Sequence, residues 1–129
     1  MCIRDRNKQA RKHERQIDCL LQIKIAREDS KFGMSAHEAS EILRNYKHDD
    51  LHNVNIKGLM GMATFTNDQT QIKEEFEYLK STFDVLNTRY PELETISMGM
   101  SGDYELAMEC GSTMIRIGSS IFGARNYSV

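Results

Sequence analysis

The sequence contains no tryptophan, a single proline and only three cysteines among its 129 residues. The cysteines, Cys2, Cys19 and Cys110, lie far apart and include no CxxC pair, so they indicate neither a disulfide framework nor a zinc site. The sequence also has no apolar run long enough to cross a membrane and no signal-peptide pattern. We therefore expect a reduced, cytoplasmic protein without a membrane partner.

Neither sign of charge dominates the sequence. Its 17 lysine and arginine residues nearly balance its 19 aspartate and glutamate residues, and the net charge is −2. This balance argues against a general attraction to nucleic acid. A hydrophobic content of 40% and a charged content of 28% are typical of a globular protein, and the length suffices for one domain.

Residues 1–16 differ from the rest, because they contain six basic residues against two acidic ones. Few apolar residues are present to define a buried face, so we predict a separate, solvated helical segment before a domain at residues 17–129. A basic arm that binds nucleic acid is the alternative, but the segment lacks interleaved aromatic residues.

The remaining chain alternates between strand-like and helix-like stretches. Capping boxes predict helix starts at Ser35 and Thr66, and the second of these helices should end before Pro91. A shorter helix is predicted at residues 103–110. Apolar runs predict four strands, at residues 17–26, 56–63, 94–98 and 113–117. The first should be covered on both faces, and the second contains glycines where another backbone comes close. This alternation predicts an α/β fold with a parallel sheet.

The number of predicted strands is half of what a closed barrel requires, because a (β/α)8 barrel has eight strands. The predicted strands also lack the charges that commonly protect an exposed sheet edge. We therefore expect a partial TIM-type barrel, which either is incomplete or completes itself with a second copy through its open edges.

Arg116 is the first candidate for a functional residue. It lies between Ile115 and Ile117 in an apolar strand, so we expect a buried guanidinium that needs an acceptor. A bound ligand could supply that acceptor. The alternative is a protein carboxylate that forms a salt bridge in the barrel interior.

Small residues follow two predicted strand ends, where α/β proteins place their ligand sites. Ser101 follows the third strand, and Gly118 and Ser119 follow the fourth. Backbone N–H groups and hydroxyls in such loops bind anions, and barrels often bind phosphate at the loops after their last two strands. Ordinary turn and helix-cap chemistry is the alternative.

Other catalytic or metal-binding patterns are absent from the sequence. It contains no P-loop, HExxH, GxSxG or GxGxxG motif. His48 and His52 are four residues apart, but they lie in a polar break rather than on a predicted helix. We therefore expect no catalytic residue and no metal site.

Four stretches resemble one known family. The closing signature of the pyridoxal phosphate homeostasis proteins is similar to SMGMS at 97–101 and to AMECGSTMIRIGSSIFGAR at 107–125. Earlier segments of that family resemble LLQIKIAREDSKFGM at 20–34 and KGLMGMA at 57–63. The resemblance covers about residues 7–127. It corresponds to the C-terminal half of a family member, strands five to eight of a barrel of the alanine racemase N-terminal type.

The resemblance implies a cofactor and a role for each candidate residue. The family binds pyridoxal 5′-phosphate (PLP) as a Schiff base with a lysine and is regarded as a carrier or regulator of the cofactor. By resemblance, Ser101, Gly118 and Ser119 hold the phosphate, and Arg116 faces the pyridine nitrogen. The family's lysine belongs to its first strand, and no lysine here matches that motif; Lys24 stands where the family usually has asparagine.

We therefore expect a truncated PLP homeostasis protein that is not an enzyme and has at most weakened cofactor binding. Two alternatives stay open. One is a fragment of a racemase-like PLP enzyme that uses the same barrel. The other is a half-barrel that associates with a second copy of itself.

Overall fold

A computed structural model describes residues 2–27, 32–46 and 51–124. Five helices and three strands alternate along this part of the chain, as the sequence predicted for an α/β fold. They are α1 (Cys2–Lys12), β1 (Ile17–Gln22), α2 (Ala36–Asn45), β2 (Val54–Met60), α3 (Gln69–Arg89), β3 (Thr95–Ser97), α4 (Tyr104–Glu109) and α5 (Ser119–Phe122).

The three strands form one parallel sheet in the order β1-β2-β3, as in a segment of a TIM-type barrel. The pairing of β1 with β2 is interrupted by a bulge between Cys19 and Leu20. Gly58 explains how closely β2 and β3 approach, because a Cβ at this position would collide with the backbone of Thr95. The predicted role of a glycine in this strand is therefore confirmed.

The core lies on one face of the sheet. Alternate residues of β1 and β2 are buried, whereas Leu20, Asn55 and Met60 on intervening positions are only half-buried. The prediction that the first strand is covered on both faces is therefore wrong for the described residues. One buried cluster joins strand residues to helix residues, including Leu21, Ile56, Leu59, Ile96, Ala39, Leu43, Phe76, Leu79 and Ala107.

The first strand is shorter than predicted, since β1 ends at Gln22 rather than at residue 26. Beyond this point the chain binds its own downstream segment. The Met34 N–H donates to the carbonyl oxygen of Gln22 at 2.8 Å, and the Lys24 N–H donates to that of Met34 at 2.9 Å. Pairing with β2 continues for one more bond, because the Ile23 N–H donates to the carbonyl oxygen of Met60 at 2.8 Å.

The predicted fourth strand at residues 113–117 is not a regular strand. Met114 forms an isolated parallel bridge with Ser97, so the segment lies beside β3 without continuing the ladder. Backbone bonds join the two segments, among them that from the Met98 N–H to the carbonyl oxygen of Met114 at 3.1 Å, and side chains add further bonds. The Thr113 hydroxyl accepts from the Ile96 N–H at 2.8 Å, and the Ser112 hydroxyl donates to the carbonyl oxygen of Met98 at 2.7 Å.

Of the two helix starts predicted from capping boxes, one is confirmed and the other is not. The capping box of Ser35 and Glu38 is present at α2, with bonds in both directions. At α3 the cap is Asp68, whose carboxylate accepts from two backbone N–H groups, and the Thr66 hydroxyl accepts from the Asp68 N–H instead. The second predicted capping box is therefore wrong. The predicted end of this helix is confirmed, because α3 stops at Arg89.

Helix α1 lies within the basic segment but is not fully solvated. Asn7 and Ala10 are buried, with 5% and 2% of their surface exposed. The Asn7 side-chain oxygen accepts a hydrogen bond from the Asn53 N–H at 2.8 Å, which ties α1 to the start of β2. The prediction of a solvated helix is corrected, since a small residue and a bonded amide give α1 a buried side that hydrophobicity alone does not reveal.

Candidate functional site

The candidate residues lie at one edge of the sheet. Gly61 follows β2, Ser101 follows β3, and Gly118 follows the Met114 bridge that lies beside β3. Because the strands are parallel, these positions all lie at their carboxyl ends. Ligand sites in α/β proteins form at this edge.

Arg116 is fixed at this edge by two hydrogen bonds. Its backbone N–H donates to the carbonyl oxygen of Gly99, and its Nη2 donates to the carbonyl oxygen of Gly61, both at 2.9 Å. The Nε–H is buried and has no hydrogen-bond partner in the described chain. One donor of the guanidinium is therefore held by the protein, while another lies buried and unpaired.

The salt bridge considered for Arg116 is not formed within the described residues, where its side chain bonds a carbonyl oxygen instead of a carboxylate. Burial lowers the pKa of Arg116, and the negative charge of Asp103 opposes part of that shift. An arginine remains protonated under all ordinary conditions. The site thus contains a partly desolvated cation with an unused donor, which favours an acceptor from outside the protein.

The structure brings Ser101 and Gly118 within hydrogen-bond distance of each other. The Ser101 hydroxyl oxygen accepts hydrogen bonds from the backbone N–H groups of Gly118 and Ser120, each at 3.2 Å. Two donors therefore converge on one oxygen atom. Ser119 lies between them in the chain and is exposed.

Sequence reasoning missed Ser120, which supplies the second of these donors. Ser120 is the second residue of α5, and the first N–H groups of a helix have no partner within it, but no helix was predicted at residues 119–122. Asp103 is the N-cap residue of α4, but its side chain makes no hydrogen bond to that helix. Its Oδ1 accepts from the Met100 N–H at 2.7 Å and closes the turn that carries Ser101.

Sequence reasoning also missed Glu75, a buried carboxylate on α3 that is 3% exposed. It accepts from the Thr64 N–H at 2.7 Å and the Thr64 hydroxyl at 2.8 Å. It also accepts from the Gln71 side-chain amide at 3.1 Å and the Arg27 N–H at 3.2 Å. Burial acts to raise the pKa of Glu75, but these hydrogen bonds outweigh burial and leave the pKa lowered.

Metal and membrane binding receive no support from the described residues. Within the described ranges, no group of three or more histidine, cysteine, aspartate or glutamate side chains is placed to hold a metal ion. His48, one of the paired histidines, lies outside those ranges. Of the helices that the structure describes, none combines the length and the apolar character of a membrane span.

Comparison with known families places this chain in a family. The model of the alanine racemase N-terminal domain matches residues 3–126. This range includes α1 except for Cys2, the three described strands and every candidate site residue.

Curated relatives and solved structures point in the same direction. The pyridoxal phosphate homeostasis protein of Vibrio alginolyticus is 39% identical over 112 residues, which are 87% of this chain and 47% of the relative. That of Pasteurella multocida is 37% identical over 129 residues, covering 98% of this chain and 54% of the relative. The chain thus spans about half the length of the curated relatives that it matches.

Among solved structures, PipY of Synechococcus elongatus resembles this chain both without PLP and with PLP bound. The TM-scores are 0.80 and 0.76, with 28% and 27% sequence identity. In each case the match covers 91% of this chain and 54% of PipY. The predicted barrel-type fold is therefore confirmed at the level of a partial barrel.

Proposed function

Since the chain belongs to the family of alanine racemase N-terminal domains, and within it to the pyridoxal phosphate homeostasis proteins, we propose that it binds PLP and acts as a carrier rather than an enzyme. The names of its curated relatives support this role, and the PLP-bound structure of PipY supports the cofactor. We also propose that the chain acts in the cytoplasm, as expected from its sequence.

The unpaired Nε–H of Arg116 is the observation that carries the proposal. A pyridine nitrogen is an acceptor that would satisfy this buried donor, while Nη2 stays bonded to the carbonyl oxygen of Gly61. When bound, PLP supplies an electron-withdrawing ring whose strength as an electron sink depends on protonation of its nitrogen. A permanent cation at that nitrogen keeps it unprotonated, and this favours carriage of the cofactor over catalysis.

The phosphate would bind at Ser101, Gly118 and Ser119. The convergence of two N–H groups on the Ser101 oxygen supports this assignment, because the same donors suit a phosphate oxygen. The Ser101 hydroxyl accepts from both groups, so its own proton is left to donate to the phosphate.

We further propose that binding is noncovalent. Lys24 is the lysine nearest in sequence to the end of β1, but its side chain is exposed and its N–H bonds Met34. We therefore assign the site the phosphate and ring-nitrogen contacts without a covalent link.

The test is a titration of the purified chain with PLP, followed by borohydride reduction and mass spectrometry. We expect saturable binding that is lost on dialysis and no stoichiometric lysine adduct. An adduct at one specific lysine would refute noncovalent binding, and the absence of saturable binding would refute the cofactor itself. Steady racemisation of an amino acid by the purified chain would instead favour the racemase-like alternative.

A second candidate is self-association of a half-barrel. We infer that β1, β2, β3 and the Met114 segment correspond to strands five to eight of the family's barrel, since they lie in sequential, parallel order. Within the described residues, β1 has a strand neighbour on one side only, and Met114 at the other edge is 48% exposed. Light scattering tests this candidate, and a folded monomer at micromolar concentration would contradict it.

A further inference from the structure

One turn of α3 contacts the segment that follows β2 at two points. Glu75 and Leu79 are four residues apart and therefore lie on the same helix face. Glu75 binds the backbone and hydroxyl of Thr64. Leu79 packs against Gly61, where an added Cβ would come within 2.9 Å of the Leu79 Cδ2. The segment from Gly61 to Thr64 is thus fixed at both ends by α3.

The bonds of Glu75 come from neutral groups. Two backbone N–H groups, one hydroxyl and one side-chain amide donate to the carboxylate. The guanidinium of Arg27 bonds the neighbouring Glu74 instead, at 2.7 Å on the surface. Among the described residues, only neutral donors bond this buried carboxylate, and it fixes them in place because each would otherwise lose its partner.

The geometry points to Glu75 as a positioning residue for Arg116. Glu75 holds Thr64, the segment from Gly61 to Thr64 stays against α3, and the carbonyl oxygen of Gly61 stays where Nη2 of Arg116 donates to it. The orientation of the guanidinium, and with it the unpaired Nε–H, thus depends on a carboxylate that does not touch it. This inference rests on the proposed PLP binding only where it predicts an effect on the affinity for PLP.

Glu75→Gln tests the inference, with Glu74→Gln as the matched control. Glutamine keeps the size of Glu75 but replaces one carboxylate oxygen with an N–H₂ group. Because the Thr64 N–H donates to one oxygen and the Arg27 N–H to the other, one of these two backbone bonds is lost. Glu74→Gln removes the same charge one residue away, where the side chain bonds only the exposed Arg27 guanidinium among the described residues. Thr64→Val, which removes only the hydroxyl donor, replaces Glu75→Gln if that variant does not fold.

Two readouts are measured on the full chain: the NMR resonance of the Arg116 Nε–H without cofactor, and the affinity for PLP. In Glu75→Gln, or in Thr64→Val, we expect the Nε–H resonance to move from its position in the unaltered chain by more than it does in Glu74→Gln. We also expect the affinity for PLP to fall about tenfold. An unchanged resonance in a folded variant would overturn the inference. If the unaltered chain does not bind PLP, the proposed function fails, while the resonance still decides whether Glu75 positions Arg116.

Discussion

The Arg116 guanidinium donates from Nη2 to the carbonyl oxygen of Gly61 at 2.9 Å, and this bond joins two loops that are 55 residues apart in the chain. The bond sets the plane of the guanidinium, because its five donors lie in one rigid fork. It also determines which donor remains for a ligand, and within the described chain that donor is the buried Nε–H.

Replacing Arg116 with lysine should weaken PLP binding by about 10- to 100-fold. Lysine keeps the positive charge but has a single ammonium group, which cannot bond Gly61 and a ring nitrogen with the geometry of a planar fork. Calorimetric titration with PLP measures the effect. Arg44→Lys, an exposed change on α2, is the control and should bind like the unaltered chain. Equal affinities for the two variants would contradict a specific role for Arg116.

Replacing Ser101 with alanine should weaken binding of PLP about tenfold but leave binding of pyridoxal, which lacks the phosphate, unchanged. The reason is that the variant loses both the hydroxyl donor and the oxygen that holds the Gly118 and Ser120 N–H groups in place. The affinities of both compounds are measured by the same titration. Ser81→Ala, at an exposed position on α3, is the control. A loss of pyridoxal binding equal to that of PLP would contradict a phosphate contact at Ser101.

Glu75 should make the stability of the chain depend on pH under acidic conditions. Its pKa is lowered in the folded chain, so its carboxylate stabilises the fold above the ordinary glutamate pKa. That contribution is lost as the pH falls through the folded value. At neutral pH, Glu75→Gln should cost about 1–3 kcal/mol in the free energy of unfolding, measured with urea.

The difference in unfolding free energy between Glu75→Gln and the unaltered chain should shrink as the pH is lowered below the ordinary glutamate range. Glu74→Gln, at a surface position, should show a small and nearly constant difference. A difference for Glu75→Gln that stays constant from neutral to acidic pH would show that the carboxylate is not ionised in the folded chain.

Local signals in the sequence predicted the elements whose partners are close in the chain. The Ser35 capping box and the end of α3 before Pro91 are examples, because each depends on a few adjacent residues. The end of the sheet could not be predicted in the same way. Thr113 has the β-branched side chain of a strand residue, yet its hydroxyl binds Ile96, 17 residues earlier, and replaces a backbone partner.

The candidate site was predicted only in part, because its hydrogen bonds also join residues that are distant in the chain. Position after strand ends indicated Ser101 and Gly118, and an arginine within an apolar strand indicated Arg116. Neither pattern showed which atoms donate and which accept. Glu75 could have been identified from spacing, since it falls three residues after Ile72 and four before Leu79, on the apolar face of α3. Two of the residues that donate to it, Arg27 and Thr64, lie in other loops that only the fold brings to this helix.

Gly99→Ala should destabilise the chain by about 1–3 kcal/mol, and Gly102→Ala should not. Gly99 has a φ of +103°, and an added Cβ would lie 2.6 Å from the Cβ of Ala107 on α4. Its carbonyl oxygen also accepts from the Arg116 N–H, so a backbone shift there should weaken PLP binding as well. At Gly102 an added Cβ meets no described atom within 4 Å. Thermal unfolding and PLP titration of both variants test this, and equal stability would show that the turn after β3 tolerates a side chain at Gly99.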